Sequence, residues 1–343
     1  MTKTLSQKKS ESGSLESNLH ETKSILTETK KQLCIAQEGK LKYETKCRGL
    51  NELVCQLKGN IRVFIRLRPL LGEYELGKGM KHISFGYDKE GNDQILISSD
   101  KGHETMVTVD KIMPENISQS QIFSEIETLI TSALYGHHVC IFAYGQTGSG
   151  KTYSMEGPEI EELDDSTRGI IPRSMEYILK TSKFDDCWTY EFSANYIEIY
   201  VDKVYDLLNG DGEKITVRAD DKGIQFSPSL KSEVITDMFD FNKLLQTAHK
   251  RRRTASTNFN ERSSRSHSIF ILNISAKNSE GKVQNSSVQL IDLAGSENAK
   301  QSGEAGGQGL IEARAINTSL TALSQMISKV RLKAKHIKGY RLI

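Results

Sequence analysis

The five cysteines, Cys34, Cys47, Cys55, Cys140 and Cys187, include no C-x-x-C pair and no spacing that suits a metal. A disulfide scaffold and a structural zinc site are thereby excluded, and the usage points to a reducing cytosol. No apolar run approaches the roughly 18 residues of a membrane span. Residues 1–14 are polar, rich in Ser, Lys and Glu, and lack the apolar stretch of a secretory leader; a disordered lead-in is expected there. Charge of one sign is lacking too: 46 Lys and Arg against 44 Asp and Glu leave a net charge of +2. Gross electrostatics therefore favours no nucleic-acid partner, and attraction to an acidic surface must be local. At 343 residues the chain has room for one large domain and a stalk.

What is present starts with Gly145-Gln146-Thr147-Gly148-Ser149-Gly150-Lys151-Thr152, which fits G-x4-G-K-T, the phosphate-binding loop. Its glycines allow positive φ and let phosphate oxygens approach the backbone N–H groups. Lys151 is placed to reach the β- and γ-phosphates, and the Thr152 hydroxyl to ligate Mg²⁺. A helix starting near Gly150 adds its N-terminal partial charge. Just upstream, residues 139–144 are wholly apolar, as expected for a strand buried on both faces.

Residues 288–291 form another buried-strand candidate that ends in Asp292, a carboxylate suited to holding a Mg²⁺-bound water beside the loop. Gly295 lies three residues on, where its backbone N–H can turn toward a γ-phosphate. Residues 260–267 crowd Ser263, Ser264, Arg265 and Ser266 together, which alone is no more than a polar loop.

With the phosphate loop beside them, these segments resemble the kinesin motor domain. Residues 260–267 match its first switch, N-x-x-S-S-R-S-H, and residues 292–297 match its second, D-L-A-G-S-E. Arg66-Leu67-Arg68-Pro69, Tyr196-Ile197-Glu198-Ile199-Tyr200, Asp206-Leu207-Leu208 and Asn317-Thr318-Ser319-Leu320 are further marks, so the resemblance runs from about Gly59 to His336. It implies an α/β P-loop NTPase fold: a mixed central sheet flanked by helices and preceded by a coiled-coil helix. It also implies that Arg66, Arg68, Pro69 and Tyr153 contact adenine and ribose, while Ser264 ligates Mg²⁺ with Ser263 beside the γ-phosphate. Arg265 and Glu297 look like the salt bridge that closes behind the phosphates, with Glu297 relaying a proton from the attacking water. The implied cofactors are ATP and Mg²⁺, and the implied partner is the microtubule. A guanine-reading N-K-x-D motif is absent, which argues against a GTPase.

Ahead of this region runs a heptad seam: Leu15, Leu19, Thr22, Leu26, Thr29, Leu33, Ala36, Lys40, Tyr43, Cys47, Leu50, Val54 and Leu57. Steps of four and three alternate without a slip, the pattern of a two-stranded coiled coil over residues 15–58. Thr22, Thr29 and Lys40 weaken it. Gly59-Asn60 then leads into a strand over residues 61–66. A stalk before the motor looks like the C-terminal-motor kinesins, so movement toward the microtubule minus end is implied by resemblance. The expected setting is the cytoplasmic microtubule cytoskeleton, the spindle included.

Beyond a glycine-rich loop, Ile316, Leu320, Leu323, Ile327, Val330 and Ala334 mark a long helix, the relay helix of the family. Arg314, Lys329, Arg331, Lys333 and Lys335 offer it a basic outer face toward tubulin. Lys250-Arg251-Arg252-Arg253 reads as the solvated end of another helix. After His336-Ile337 the family pattern gives way to Lys338-Gly339-Tyr340-Arg341-Leu342-Ile343. A motor domain over residues 59–343 that lacks the last sheet strand and the closing helix is therefore expected. The alternative this raises is a catalytically impaired form that pairs with full-length motors and regulates them.

Overall fold

The computed structural model describes residues 2–59, 61–71, 82–99, 102–158, 164–209, 214–220, 223–256, 262–297 and 308–336. The chain divides into two compact units, residues 1–53 and 54–343.

The first unit is one helix, α1 (Thr2–Lys58). It starts at Thr2, within the stretch expected as a lead-in. Nothing in that stretch breaks a helix, since proline is absent, and extending an existing helix is far easier than nucleating one. The seam leucines are exposed, from Leu15 at 67% to Leu57 at 78%. Thr22 and Thr29 turn their hydroxyls onto the carbonyls of Asn18 (2.7 Å) and Ile25 (2.8 Å), which satisfies these polar groups within the helix itself.

In the second unit β1 (Phe64–Arg66), β2 (Ile83–Tyr87), β3 (Asp93–Ser98), β4 (Glu104–Val109) and β5 (Lys111–Met113) come first. The helix α2 (Gln119–Leu134), β6 (Val139–Ala143), the short α3 (Lys151–Met155) and α4 (Ile170–Lys183) follow. Ser118 caps α2 in a capping box with Gln121, which fixes where that helix starts. Then come β7 (Trp188–Tyr200), β8 (Lys203–Asp206), β9 (Lys214–Ile215), β10 (Val217–Asp220), β11 (Gly223–Phe226) and β12 (Glu233–Val234). The chain continues through α5 (Met238–Ser256), a 3₁₀ turn (Arg262–Arg265), β13 (His267–Asn278), β14 (Val283–Asp292) and α6 (Gln308–His336).

The main sheet has the order β6-β14-β13-β7-β8-β9, with β12 also on β7. Only the β6–β14 pair in it is parallel. Alternate residues of its strands, Phe192, Ala194 and Tyr196, Phe270, Leu272 and Ile274, Val288 and Leu290, form one apolar face. Against it pack Ile122, Ile126 and Ile130 of α2, Met175 and Ile178 of α4, and Phe241 and Leu245 of α5. Phe270 meets Tyr196 and Phe241 edge-on, with centroids 5.7 and 5.9 Å away.

β6 departs from expectation. It pairs with β14 along one side alone among the described residues, and Cys140 and Phe142 are exposed. An apolar run measures stickiness, not the number of neighbours; this one is an edge. β1 pairs instead with β5 in a separate ladder.

The β7–β8 hairpin turns on Val201 and Asp202, both left-handed (φ 50 and 59). Asp tolerates this conformation, but a β-branched Val is strained there. Replacing Val201 with Asn should stabilise the domain by about 1 kcal/mol and raise its thermal midpoint by about 2–4 °C. An unchanged or lowered midpoint in thermal unfolding would show that the turn carries no strain.

Candidate nucleotide site

Because β6 and β14 are parallel, their C-terminal ends emerge at the same edge, with Ala143 opposite Asp292. β13 is antiparallel to β14 and so begins there, with Ser268 opposite Asp292. Three segments distant in sequence thus converge. From β6 the chain enters the phosphate loop, where Gly148 and Gly150 adopt left-handed φ values of 78 and 90. Gly150 then caps α3.

Lys151 Nζ donates to the Gln146 carbonyl at 2.9 Å. Burial lowers its pKa, against the pull of Asp292 and Glu297. The Thr152 hydroxyl donates to Asp292 Oδ2 at 2.5 Å. Asp292 Oδ1 is buried and has no hydrogen-bond partner among the described residues. Burial pushes this carboxyl up, and the Thr152 bond and Arg252 work the other way. A hydroxyl and an orphaned carboxylate oxygen, side by side behind a cradle of backbone N–H groups, suit a hydrated Mg²⁺ on a phosphate.

At the rim the Arg66 guanidinium stands 5.3 Å from the centre of the Tyr153 ring. It donates to Ser154 Oγ (2.7 Å) and Gln119 Oε1 (3.0 Å). Arg68 is half-buried and Pro69 exposed in the segment that follows.

The two switch segments meet through the backbone, the Gly295 N–H donating to the Ser264 carbonyl at 2.9 Å. Ser296 N–H reaches Gly145 O at 3.1 Å, tying the second switch to the loop. A Cβ at Gly295 would collide with the Thr147 hydroxyl and the Glu297 carboxylate. The side chain of Ser263 lies outside the described residues, as do residues 257–261. No Arg265–Glu297 ion pair is present among the described residues. Glu297 takes the Thr147 N–H (2.8 Å) and the Thr147 hydroxyl, while Arg265 Nη1 pairs with Glu312 Oε2 of α6 at 2.7 Å. Each of the two side chains is engaged by another partner.

The Kinesin motor domain profile matches residues 66–341. This chain belongs to the kinesin motor family. It is 38% identical over 326 residues to Carboxy-terminal kinesin 2 of Xenopus laevis, covering 89% of this chain and 50% of that protein. It is 37% identical to Kinesin-like protein KIN-14D of Arabidopsis thaliana, covering 93% of this chain and 41% of that one. The chain thus spans about half or less of these relatives. Among solved structures it is similar to the C-terminal motor and motor homology domain of Kar3Vik1 fused to a synthetic heterodimeric coiled coil. That match has a TM-score of 0.75 and 32% identity, over 92% of this chain and 81% of that one.

Behind the nucleotide edge of this kinesin domain lies a buried ionic chain that its sequence motifs do not announce. Glu156 follows α3, and its carboxylate accepts from Tyr196 Oη at 2.6 Å. His249 Nε2 lies 3.0 Å and Arg252 Nη1 3.6 Å from the same carboxylate. Burial pushes Glu156 up, but His249, Arg252 and Tyr196 more than offset it and hold the pKa at about 2. Arg252 lies 3.9 Å from Glu198, which accepts from Ser266 Oγ at 2.7 Å. The Lys250–Arg253 run is therefore only partly solvated: Arg252 is 9% exposed, because α5 continues its apolar register from Phe241, Leu245 and Ala248 onto that position. A charge on an apolar helical seam was the available signal. Glu312, four residues before Ile316 on the α6 seam and 3% exposed, carries the same signal.

His267 joins three elements. Its Nδ1 accepts from Ala294 N–H (3.1 Å), which leaves the proton on Nε2, and that N–H donates to Ser319 Oγ (2.8 Å). Burial pushes its pKa down to about 4 from the ordinary 6.5. Between those values the unfolded chain takes up a proton that the folded chain refuses. Stability is therefore full above pH 6.5 and falls as the pH drops toward 4, by about 3 kcal/mol. Urea unfolding of the wild type and His267→Gln at pH 7 and pH 4 should show this extra loss in the wild type alone. Equal losses would mean that His267 is not held neutral.

Proposed function

We propose that this chain is an ATP-hydrolysing motor that moves along microtubules toward the minus end, working as a dimer through α1. Kinesin motor domains as a family bind ATP with Mg²⁺ and are microtubule-stimulated ATPases. The observation that carries the reading is the Thr152–Asp292 contact with its orphaned Oδ1, seated against the phosphate loop between two switch segments. Thr152, Ser264 and, through water, Asp292 are the residues to hold Mg²⁺. The loop N–H groups and Lys151 are the residues to hold the phosphates, with Arg66, Arg68, Pro69 and Tyr153 at the base and ribose. Bound Mg²⁺·ATP supplies the phosphoryl group and a metal-polarised γ-phosphate. The rest is positioning and charge stabilisation by this chain. Lys151 stabilises developing negative charge, Gly295 N–H senses the γ-position, and Glu297 orients the attacking water once Arg265 reaches it.

Direction rests on the stalk ahead of the motor and on the C-terminal and KIN-14 relatives. The outer face of α6, with Arg314 and Lys329 exposed, offers local positive charge to an acidic track. The one-sided pairing of β6 favours a second reading: an impaired form that acts by pairing through the exposed α1 seam with an active motor.

Steady-state ATP hydrolysis should rise when microtubules are added and fall at least about 100-fold in Lys151→Ala, with the thermal midpoint within a few degrees of wild type. A soluble, dimeric protein that microtubules do not stimulate would overturn the motor reading and favour the second.

A further inference from the structure

We propose that Glu312 is the resting partner of Arg265, and that turnover requires this guanidinium to be handed from Glu312 on α6 to Glu297 on the second switch. The proposal rests on the motor reading above and assigns Glu312 the part of a positioning residue. Both oxygens of Glu312 are engaged: Oε2 by Arg265 and Oε1 by the Tyr200 hydroxyl at the end of β7. Both oxygens of Glu297 are engaged as well, by the N–H and hydroxyl of Thr147. Two carboxylates thus compete for one arginine, and the one that holds it belongs to the helix expected to lie against the track.

The exchange is coupled to helix movement by burial. The Glu312 side chain is 4% exposed against 27% for that of Arg265. Were Arg265 to leave with α6 in place, a buried carboxylate would lose its cationic partner, which proteins avoid. The handover therefore needs the first turns of α6 to shift, so that Glu312 reaches water or another donor. A second tether lies seven residues along, about two turns on the same helical face, where Ser319 meets His267. α6 is thus fastened twice to the segment that carries the first switch. Whatever draws α6 away frees Arg265 to close the gate, and gate closure in turn favours the shifted helix, since the two equilibria are linked.

The test is a comparison of wild type with Glu312→Gln, which keeps the shape and the Tyr200 contact and removes the charge. Fluorescence titration would give affinities for ADP and for a β,γ-imido ATP analogue. The analogue-to-ADP preference should rise about tenfold in Glu312→Gln, because a released Arg265 closes on the γ-phosphate. ATPase without microtubules should rise about fivefold or more, while the microtubule-saturated rate stays within about twofold. A merely structural role would weaken both nucleotides and both rates together. Unchanged nucleotide preference and unchanged basal rate would overturn the proposal while leaving the motor reading intact; wild type that binds neither nucleotide would overturn the motor reading itself. Should Glu312→Gln not fold, Tyr200→Phe removes the other donor to that carboxylate, so Arg265 is held more tightly and a smaller shift in the opposite direction, toward ADP, is expected. No shift in a folded Tyr200→Phe would then count against the handover.

Discussion

Everything at the nucleotide edge depends on one ladder: β14 held between a parallel β6 and an antiparallel β13, with Asp292 opposite Ala143 on one side and Ser268 on the other. Strand polarity brings the end of the phosphate-loop strand, the end of the second-switch strand and the start of β13 to the same place. Residue parity does the rest. Asp292 faces Thr152 because Val288 and Leu290, four and two residues earlier, face the apolar core. A slip of one residue would turn Asp292 to the opposite face and expose those core residues, so hydrophobic burial enforces the geometry of the site.

The second organising feature is the buried charge behind that edge. Glu156, Arg252 and Glu198 connect the residue after α3 to the helix preceding the first switch and to the strand beside it. Such ion pairs are weak contributors to net stability, because desolvation consumes most of the Coulombic gain. Their value is in specificity: removing one partner strands the other, so the three elements keep a single arrangement. α5 ends at Ser256, four residues beyond Arg252, so the helix ahead of the first-switch segment is tied to the residue that follows α3.

The phosphate loop and both switches were legible in the sequence because their chemistry requires particular residues at fixed spacing: glycines where the backbone approaches phosphate, a lysine and a threonine beside it, an acid at a strand end. The long α6 and the α1 seam were legible from periodicity. The exposure of β6 was not, since the apolar run 139–144 reads as a strand covered on both faces whether or not anything covers it. Nor were Glu156, Arg252 and Glu312. A lone charge reads as solvated, and its partners lie tens of residues away: Arg265 and Glu312 are 47 apart. The clue available was register, for Arg252 and Glu312 each fall on the apolar seam of a helix. The Arg265–Glu312 and Glu297–Thr147 contacts were not legible either, since sequence does not rank alternative partners for the same side chain.

The ladder also sets an order of assembly. β13 and β14 form a local hairpin, which closes a short loop and can form quickly. Their pairing with β6, and with it the Thr152–Asp292 contact, closes a loop of 140 residues. Parallel pairing over such a separation is entropically late. During synthesis the phosphate loop therefore emerges long before the residues that complete it. The proposed metal-nucleotide site is therefore completed last, as a property of the finished domain and not of any fragment on the way.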